Sequence, residues 1–240
     1  MKYRWKIGMI VTAAASMAAL GVSGSPGSNR TVGQVVAAFG PAAVKRLQPH
    51  FAAAGIAYPP RELVFLAMKQ EMKLEVWARG DASFRHVKTY RIRKASGRKG
   101  PKLREGDWQV PEGIYRISGF NPNSSYHLSM KLNYPNAFDL THARREGRTQ
   151  PGTNIFIHGK AASVGCLAMG DPAIEELFVL VAETGRRKTR VVIAPHDPRH
   201  RPLTAAERHL PDWTPELYRR ISAAFRPFQR ARSRLRAGYR

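Results

Sequence analysis

The chain has 240 residues, with 40 Lys and Arg against 17 Asp and Glu, a net charge of +23. That length is enough for one domain with extensions or two small ones with a real core, and apolar and charged fractions are those of a globular protein. The charge favours polyanionic surroundings such as nucleic acid, anionic lipid or acidic envelope polymers, and the single cysteine excludes an internal disulfide.

The N-terminus, MKYRWK, carries Lys2, Arg4 and Lys6 ahead of an uncharged apolar run from Ile7 to Val22. SGSPGSN follows, small and turn-prone, so cleavage near Gly24 is expected. The run is shorter than the roughly 18 apolar residues of a spanning helix, which favours a signal peptide over a permanent anchor. No cysteine follows it, so a lipid-modified N-terminus is excluded. The expected location is therefore the periplasm or cell envelope, with anchoring through the N-terminal segment as the alternative. The expected organisation is a signal segment over 1–24, a linker and helical segment over 25–58, a main domain over 59–197 and a basic extension over 198–240.

Residues 31–54 repeat Val35, Val36, Phe39, Val44, Leu47 and Phe51 at helical spacing, with Pro41 and Gly55 as punctuation. LVFLAMKQ and KLEVWARG predict two strands joined by a turn near Glu71, and FRHVKTYRIR a third. Val64 and Leu66, then Leu74, Val76 and Ala78, alternate as in half-buried strands. Residues 95–112, rich in Gly, Pro and charge, predict a long loop, the kind of segment that carries function. GIYRISGF, YHLSMKLNYP and IFIHG predict further strands. DPAIEELFVLVAETG predicts a helix, with Asp171 as cap, Pro172 in the first turn and an apolar stripe of Ile174, Leu177, Phe178 and Val181. TRVVIAP predicts a last strand. From about 199 the chain turns basic, and a helix starting at Thr214–Pro215 carries Leu217, Ile221, Ala224, Phe225 and Phe228 among arginines. It reads as a docked terminal helix, with contact to an anionic surface as the alternative.

Cys166 lies eight positions after His158. Extended chain would hold them about 26 Å apart at ~3.3 Å per residue, so they meet only if the chain folds back. Gly159 and Gly165 bracket that interval and permit the return as a hairpin. An odd thiol in an exported chain is a buried bystander, an intermolecular partner or a nucleophile. An imidazole beside it raises the thiolate fraction and makes a sulfur nucleophile for acyl transfer. The N–H groups around Cys166, with no side chain on Gly165 to block approach, form a candidate oxyanion hole. PHDPRH, with His196, Asp197 and His200, reads as a loop rather than a metal site, and no cofactor is expected. His127 borders the cleft or fills the core, and Trp77 and Trp108 read as packing residues rather than sugar binders, although Trp108, in the long loop, could line a groove.

The string HG…SVGC, with AMGD following, resembles the active-site motif of the L,D-transpeptidase (YkuD-type) catalytic domain, in its YafK-like branch. The resemblance extends through GPKLREGDWQVPEGIYRI, SSYHLSMKLNYPNAFD and DPAIEELFVLV, over about residues 60–196. It implies a mainly β, α+β fold, a β-sandwich or barrel-like catalytic domain, here with an N-terminal helical cap and a basic C-terminal helix. It implies a thioester mechanism on peptidoglycan stem peptides, with Cys166 as nucleophile, His158 as proton carrier and the Gly159 carbonyl orienting His158. Gly165, Ser163 and Tyr134 are the further candidates for oxyanion or substrate contacts. The sequence departs from many members in having Leu167 and Ala168 where an arginine follows the cysteine, and in the short gap between His158 and Cys166. These departures bear on the substrate rather than the chemistry and leave open a transferase or a hydrolase with the same pair. A non-catalytic envelope-binding protein is the rival of another class, against which the intact HG…SVGC set argues. Expected partners are stem peptides, a wall-linked protein and, for the basic tail, the anionic envelope surface; no nucleic-acid motif is present.

Overall fold

The structure, a computed structural model, describes residues 29–229 except residue 82. The expected signal segment and the last arginines of the tail lie outside those residues. Helix α1, Val32–Ala54, begins with a capping box between Thr31 and Gln34 and ends at Gly55, whose φ of 64° suits a left-handed cap. Pro41 does not punctuate it: both Pro41 and Pro49 lie inside the helix. Each removes one backbone donor, and the helix persists because Val35, Ala43, Leu47 and Phe51 are buried against the sheet domain.

Among the described residues nine strands follow: β1 Glu62–Met68, β2 Lys73–Arg79, β3 Phe84–Arg91, β4 Lys94–Ala95, β5 Gly113–Asn121, β6 Ser129–Leu132, β7 Phe156–His158, β8 Leu167–Ala168 and β9 Thr189–Ala194. They form one sheet in the order β3-β2-β1-β9-β5-β6-β7-β8-β4. Among the described residues three more helices complete a mixed α+β fold: α2 Ala137–Arg145, α3 Asp171–Thr184 and α4 Thr214–Phe225. Composition and periodicity did not predict α2 or β8. The first is short and polar, and the second has only two residues.

The alternation read in β1 proves to be burial on both faces. Leu63, Phe65 and Ala67 pack with α1 and with Ile174, Leu177, Phe178 and Val181 of α3. Val64, Leu66 and Met68 pack on the other side with Leu217, Tyr218, Ile221 and Phe225 of α4. The expected basic extension is thus partly core. Arg199 pairs with Glu75 at 3.0 Å and Asp197 at 2.6 Å. Phe228 is buried beside Trp77 and Phe84. Among the described residues no helix is long and apolar enough to cross a membrane.

One buried carboxylate ties three elements together. Glu176 on α3 accepts from Arg46 Nε of α1 at 2.7 Å, and from Lys88 Nζ and Tyr90 Oη of β3 at 2.6 Å each. Burial pushes its pKa up, but these charged and hydroxyl donors outweigh burial and hold it below the ordinary carboxylate value. A depressed carboxylate stabilises the fold above its unfolded pKa, and that contribution is lost as pH falls through the folded value. Glu176→Gln is expected to lower stability at pH 7 by about 3 kcal/mol. Urea unfolding at pH 7 and at pH 3 measures this, and the deficit should shrink in acid.

Candidate active site

His158 closes β7, which is flanked on both sides. Ser129 of β6 lies opposite it in antiparallel register, and Ala168 of β8 in parallel register. The chain does fold back between His158 and Cys166, but not as a hairpin: β7 and β8 run parallel. The eight-residue excursion 159–166 returns the chain to the start of β7. The parallel register continues back from Leu167 to set Cys166 beside Phe156, two residues from His158 and so on the same face. Consistent with this, the Phe156 N–H donates to Cys166 Sγ at 3.4 Å. Sγ also approaches the Asn154 carbonyl at 3.8 Å. His158 and Cys166 line one cleft of 310 Å³, together with Asn121, Ser124, Ser125 and Tyr126 and with Ala162 and Val164 of the turn before the cysteine.

The histidine is oriented by backbone. Its Nδ1 lies 2.6 Å from the Gly159 carbonyl. A carbonyl only accepts, so Nδ1 carries the proton and Nε2 is left with the lone pair. Gly159 is itself fixed: its N–H donates to Leu128 O at 3.1 Å, and a Cβ there would lie 2.6 Å from both Tyr126 O and Asp171 Oδ1. Only glycine fits at that packing distance. Tyr126 covers the imidazole, with ring centroids 4.5 Å apart.

The cysteine turn is clasped from outside its own segment. Ser163 Oγ donates to Cys166 O at 2.6 Å and accepts from Ser96 N at 3.3 Å. Ser96 Oγ accepts from Gly165 N at 2.6 Å. Ser163 therefore shapes the turn, and the Gly165 N–H already has a partner. The Cys166 N–H takes no loop or side-chain partner among the described residues. Gly165 has φ 88°, in the left-handed region, and its open side faces Gln109 O of the long loop. Tyr134 lies elsewhere: its hydroxyl donates to Pro151 O at 2.7 Å and the ring is buried against Tyr115. His127 is held by Glu175 at 3.0 Å and edges Phe39. In PHDPRH, His196 meets Arg201 O at 3.2 Å and Asp197 is taken by Arg199. Asp171 is the first residue of α3 rather than its cap, and its carboxylate accepts from Lys160 N at 2.7 Å.

The electrostatics differ from the thiolate expected. Burial pushes the Cys166 thiol up, opposed by the Phe156 N–H and by the nearby charge of Lys102. Burial pushes His158 down, opposed by its bond to Gly159. Both directions favour a neutral thiol beside a neutral imidazole at rest. No hydrogen bond joins the two side chains directly. Ser96, Tyr126, Phe156 and Lys102 escaped the sequence reading, because no local pattern announces contacts to the turn made from up to 70 residues away.

The L,D-transpeptidase catalytic domain (YkuD) family model matches residues 64–193, from the third residue of β1 to the penultimate one of β9. The chain belongs to this family. YafK of Escherichia coli (strain K12) is 34% identical over 115 residues, 47% of this chain and 44% of YafK. The chain thus spans less than half the length of that curated relative. Among solved structures, the helical cell shape determining protein Pgp2 of Campylobacter jejuni is 23% identical with a TM-score of 0.47, covering 59% of this chain and 50% of Pgp2. Bd1075 of Bdellovibrio bacteriovorus is 23% identical with a TM-score of 0.42, covering 70% of this chain and 55% of its own.

The neutral resting pair makes a direct prediction. Alkylation of Cys166 by iodoacetamide should rise with pH to a midpoint above the ordinary thiol value of about 8.5. A midpoint well below that value, measured from alkylation rates across pH 5–10, would instead signal a thiolate–imidazolium pair.

Proposed function

We propose that this chain is a cysteine acyl-transfer enzyme of the bacterial envelope, acting on the stem peptides of peptidoglycan. The observation that carries the reading is the shared cleft: a lone thiol and an imidazole with its Nε2 lone pair free open on one cavity inside an L,D-transpeptidase-family domain. In this reading substrate entry brings the thiol proton onto His158 Nε2 as Cys166 Sγ bonds to a stem-peptide carbonyl carbon. The carbonyl oxygen becomes an oxyanion, for which the Cys166 N–H is the nearest uncommitted backbone donor. Collapse breaks the C–N bond, His158 returns its proton to the leaving amine, and the acyl group remains as a thioester. Gly159 holds the Nδ1–H throughout, so Nε2 is the nitrogen that takes and returns the proton, and Ser163 and Gly165 shape the turn.

The fate of the thioester separates transfer to an amine from hydrolysis by water. Leu167 and Ala168 are buried strand residues, so no guanidinium stands after the cysteine to hold an acceptor. That favours keeping hydrolysis as the second reading, on links within peptidoglycan or between it and a protein. Incubation with stem peptides, with and without an amine acceptor, should yield an acyl adduct on Cys166 by mass spectrometry. Cys166→Ala should form none, and His158→Ala should slow adduct formation by at least about a hundredfold. The same products with and without the amine identify the hydrolase. An identical product profile from Cys166→Ala would refute the enzyme in either form.

Export, and attachment of the basic C-terminal tail to the anionic envelope, belong to the same proposal. Because Arg199 and α4 help form the core, the test is truncation after Gln229 rather than at 198. Loss of residues 230–240 should weaken retention on isolated cell walls, and the difference should vanish at high salt. Equal retention across salt concentrations would remove the tail from the reading.

A further inference from the structure

The long loop before β5 does more than border the cysteine turn. Asp107 gathers it: the carboxylate accepts from Lys102 Nζ at 2.5 Å and from the backbone N–H groups of Leu103, Arg104 and Gln109 at 3.0–3.1 Å. Gln109 staples the loop's two arms, donating to Arg98 O and Gly100 O at 2.6 Å each. Between these two anchors Trp108 is held at φ 54°, a left-handed conformation that bulky residues avoid. Its indole is 65% exposed, the most exposed large hydrophobic side chain among the described residues. A rigid loop that holds an indole out in water is unexplained by packing.

The indole does not face open solvent alone. It lines an open groove of 750 Å³ together with Arg98 and Arg104 of the same loop and with His209, Leu210 and Pro211 from the C-terminal segment. That segment sits tightly, since a Cβ on Gly100 would lie 2.6 Å from Leu210. It comes from beyond residue 193, outside the span matched by the family model. Arg98 and Arg104 are exposed and make no ion pair among the described residues. The same loop reaches the nucleophile: Gln109 O faces Gly165, and Ser96 holds the Gly165 N–H.

We propose that this groove is a carbohydrate subsite that binds the glycan strand of the wall polymer beside the catalytic cleft. A flat indole face matches the C–H-lined face of a pyranose ring, whose partial positive charge meets the negative face of the π-system. The two guanidiniums suit the carboxylates such a strand carries, the sugar's own lactyl carboxylate where the stem has been removed and those of the stem where it has not. A peptide alone would leave the exposed indole without a matching flat partner. The proposal rests on the reading of the chain as peptidoglycan-acting, and it deepens that reading by naming a second part of the same polymer.

The test uses the full chain and stem-free glycan strands, prepared by stripping the peptides from peptidoglycan. Binding is followed by indole fluorescence and by calorimetry. Wild type should bind, Trp108→Ala should bind at least tenfold more weakly, and Trp108→Phe should lose less because a ring face remains. Arg104→Ala should weaken binding and flatten its salt dependence. Equal affinity in Trp108→Ala, or binding that salt abolishes with no dependence on residue 108, would overturn the subsite. Acylation of wild-type Cys166 by a sugar-free stem peptide, read by mass, reports separately on the catalytic reading. An adduct without glycan binding overturns the groove alone. Glycan binding without an adduct overturns the catalytic reading and leaves the groove standing.

Discussion

The hydrogen bond from His158 Nδ1 to the carbonyl of its own neighbour, Gly159, is the constraint on which the rest of the cleft depends. A carboxylate in that position would pull the imidazole toward its charged form. A carbonyl orients the ring and fixes the tautomer with only a partial charge, so burial still keeps the imidazole neutral. For the carbonyl to turn back on the ring, the chain must bend sharply where β7 ends, against Tyr126 O and Asp171, in a space that admits no Cβ. The sheet then holds the bend: β6 and β8 flank β7, and the Met169 N–H donates to His158 O at 2.8 Å.

The sulfur is positioned by a different kind of contact. Its turn has little structure of its own and is held by two serine hydroxyls, one local and one from the start of the long loop. That loop is in turn organised by the Lys102–Asp107 pair, both of whose side chains are largely buried. Lys102 also contributes a nearby positive charge that pulls the thiol back toward its ionised form. Site and loop therefore form one polar unit, and a change in the loop's geometry is felt at the sulfur through Ser96 and Gln109. The neutral resting pair follows from this design, since a half-buried thiol and a buried imidazole are each cheaper uncharged unless they touch.

Around that unit the sheet is covered on both faces. α1 and α3 lie on one side, clamped by Glu176, and α4 with Phe228 lies on the other. The strands β1 and β9 are accordingly apolar on both faces, which is why Val64, Leu66 and Met68 are as buried as Phe65. The arginine-rich segment that looks like a solvated tail contributes an apolar helix face to this arrangement, and Tyr218 reaches Glu112 at 2.9 Å beneath the long loop.

Local patterns in the chain were sufficient for much of this. The helical spacing in 31–54, the Pro172-led helix, the paired strands of 62–79 and the thiol and imidazole eight residues apart are all written in neighbouring residues, where period and turn chemistry act. Glycine on either side of the histidine–cysteine interval was enough to expect a return of the chain. What the sequence could not contain was the direction of that return. Parallel pairing of β7 with β8 needs Arg93 N on Ala168 O, β4 on β8 and Ser96 on Gly165, contacts that bridge roughly 70 residues. The same holds for the ionisation of the pair, the seat of Tyr134 against Tyr115 and Pro151, and the exposed indole of Trp108. Each is set by which distant surface lands on a residue and how much water it removes, and only the packed chain decides that.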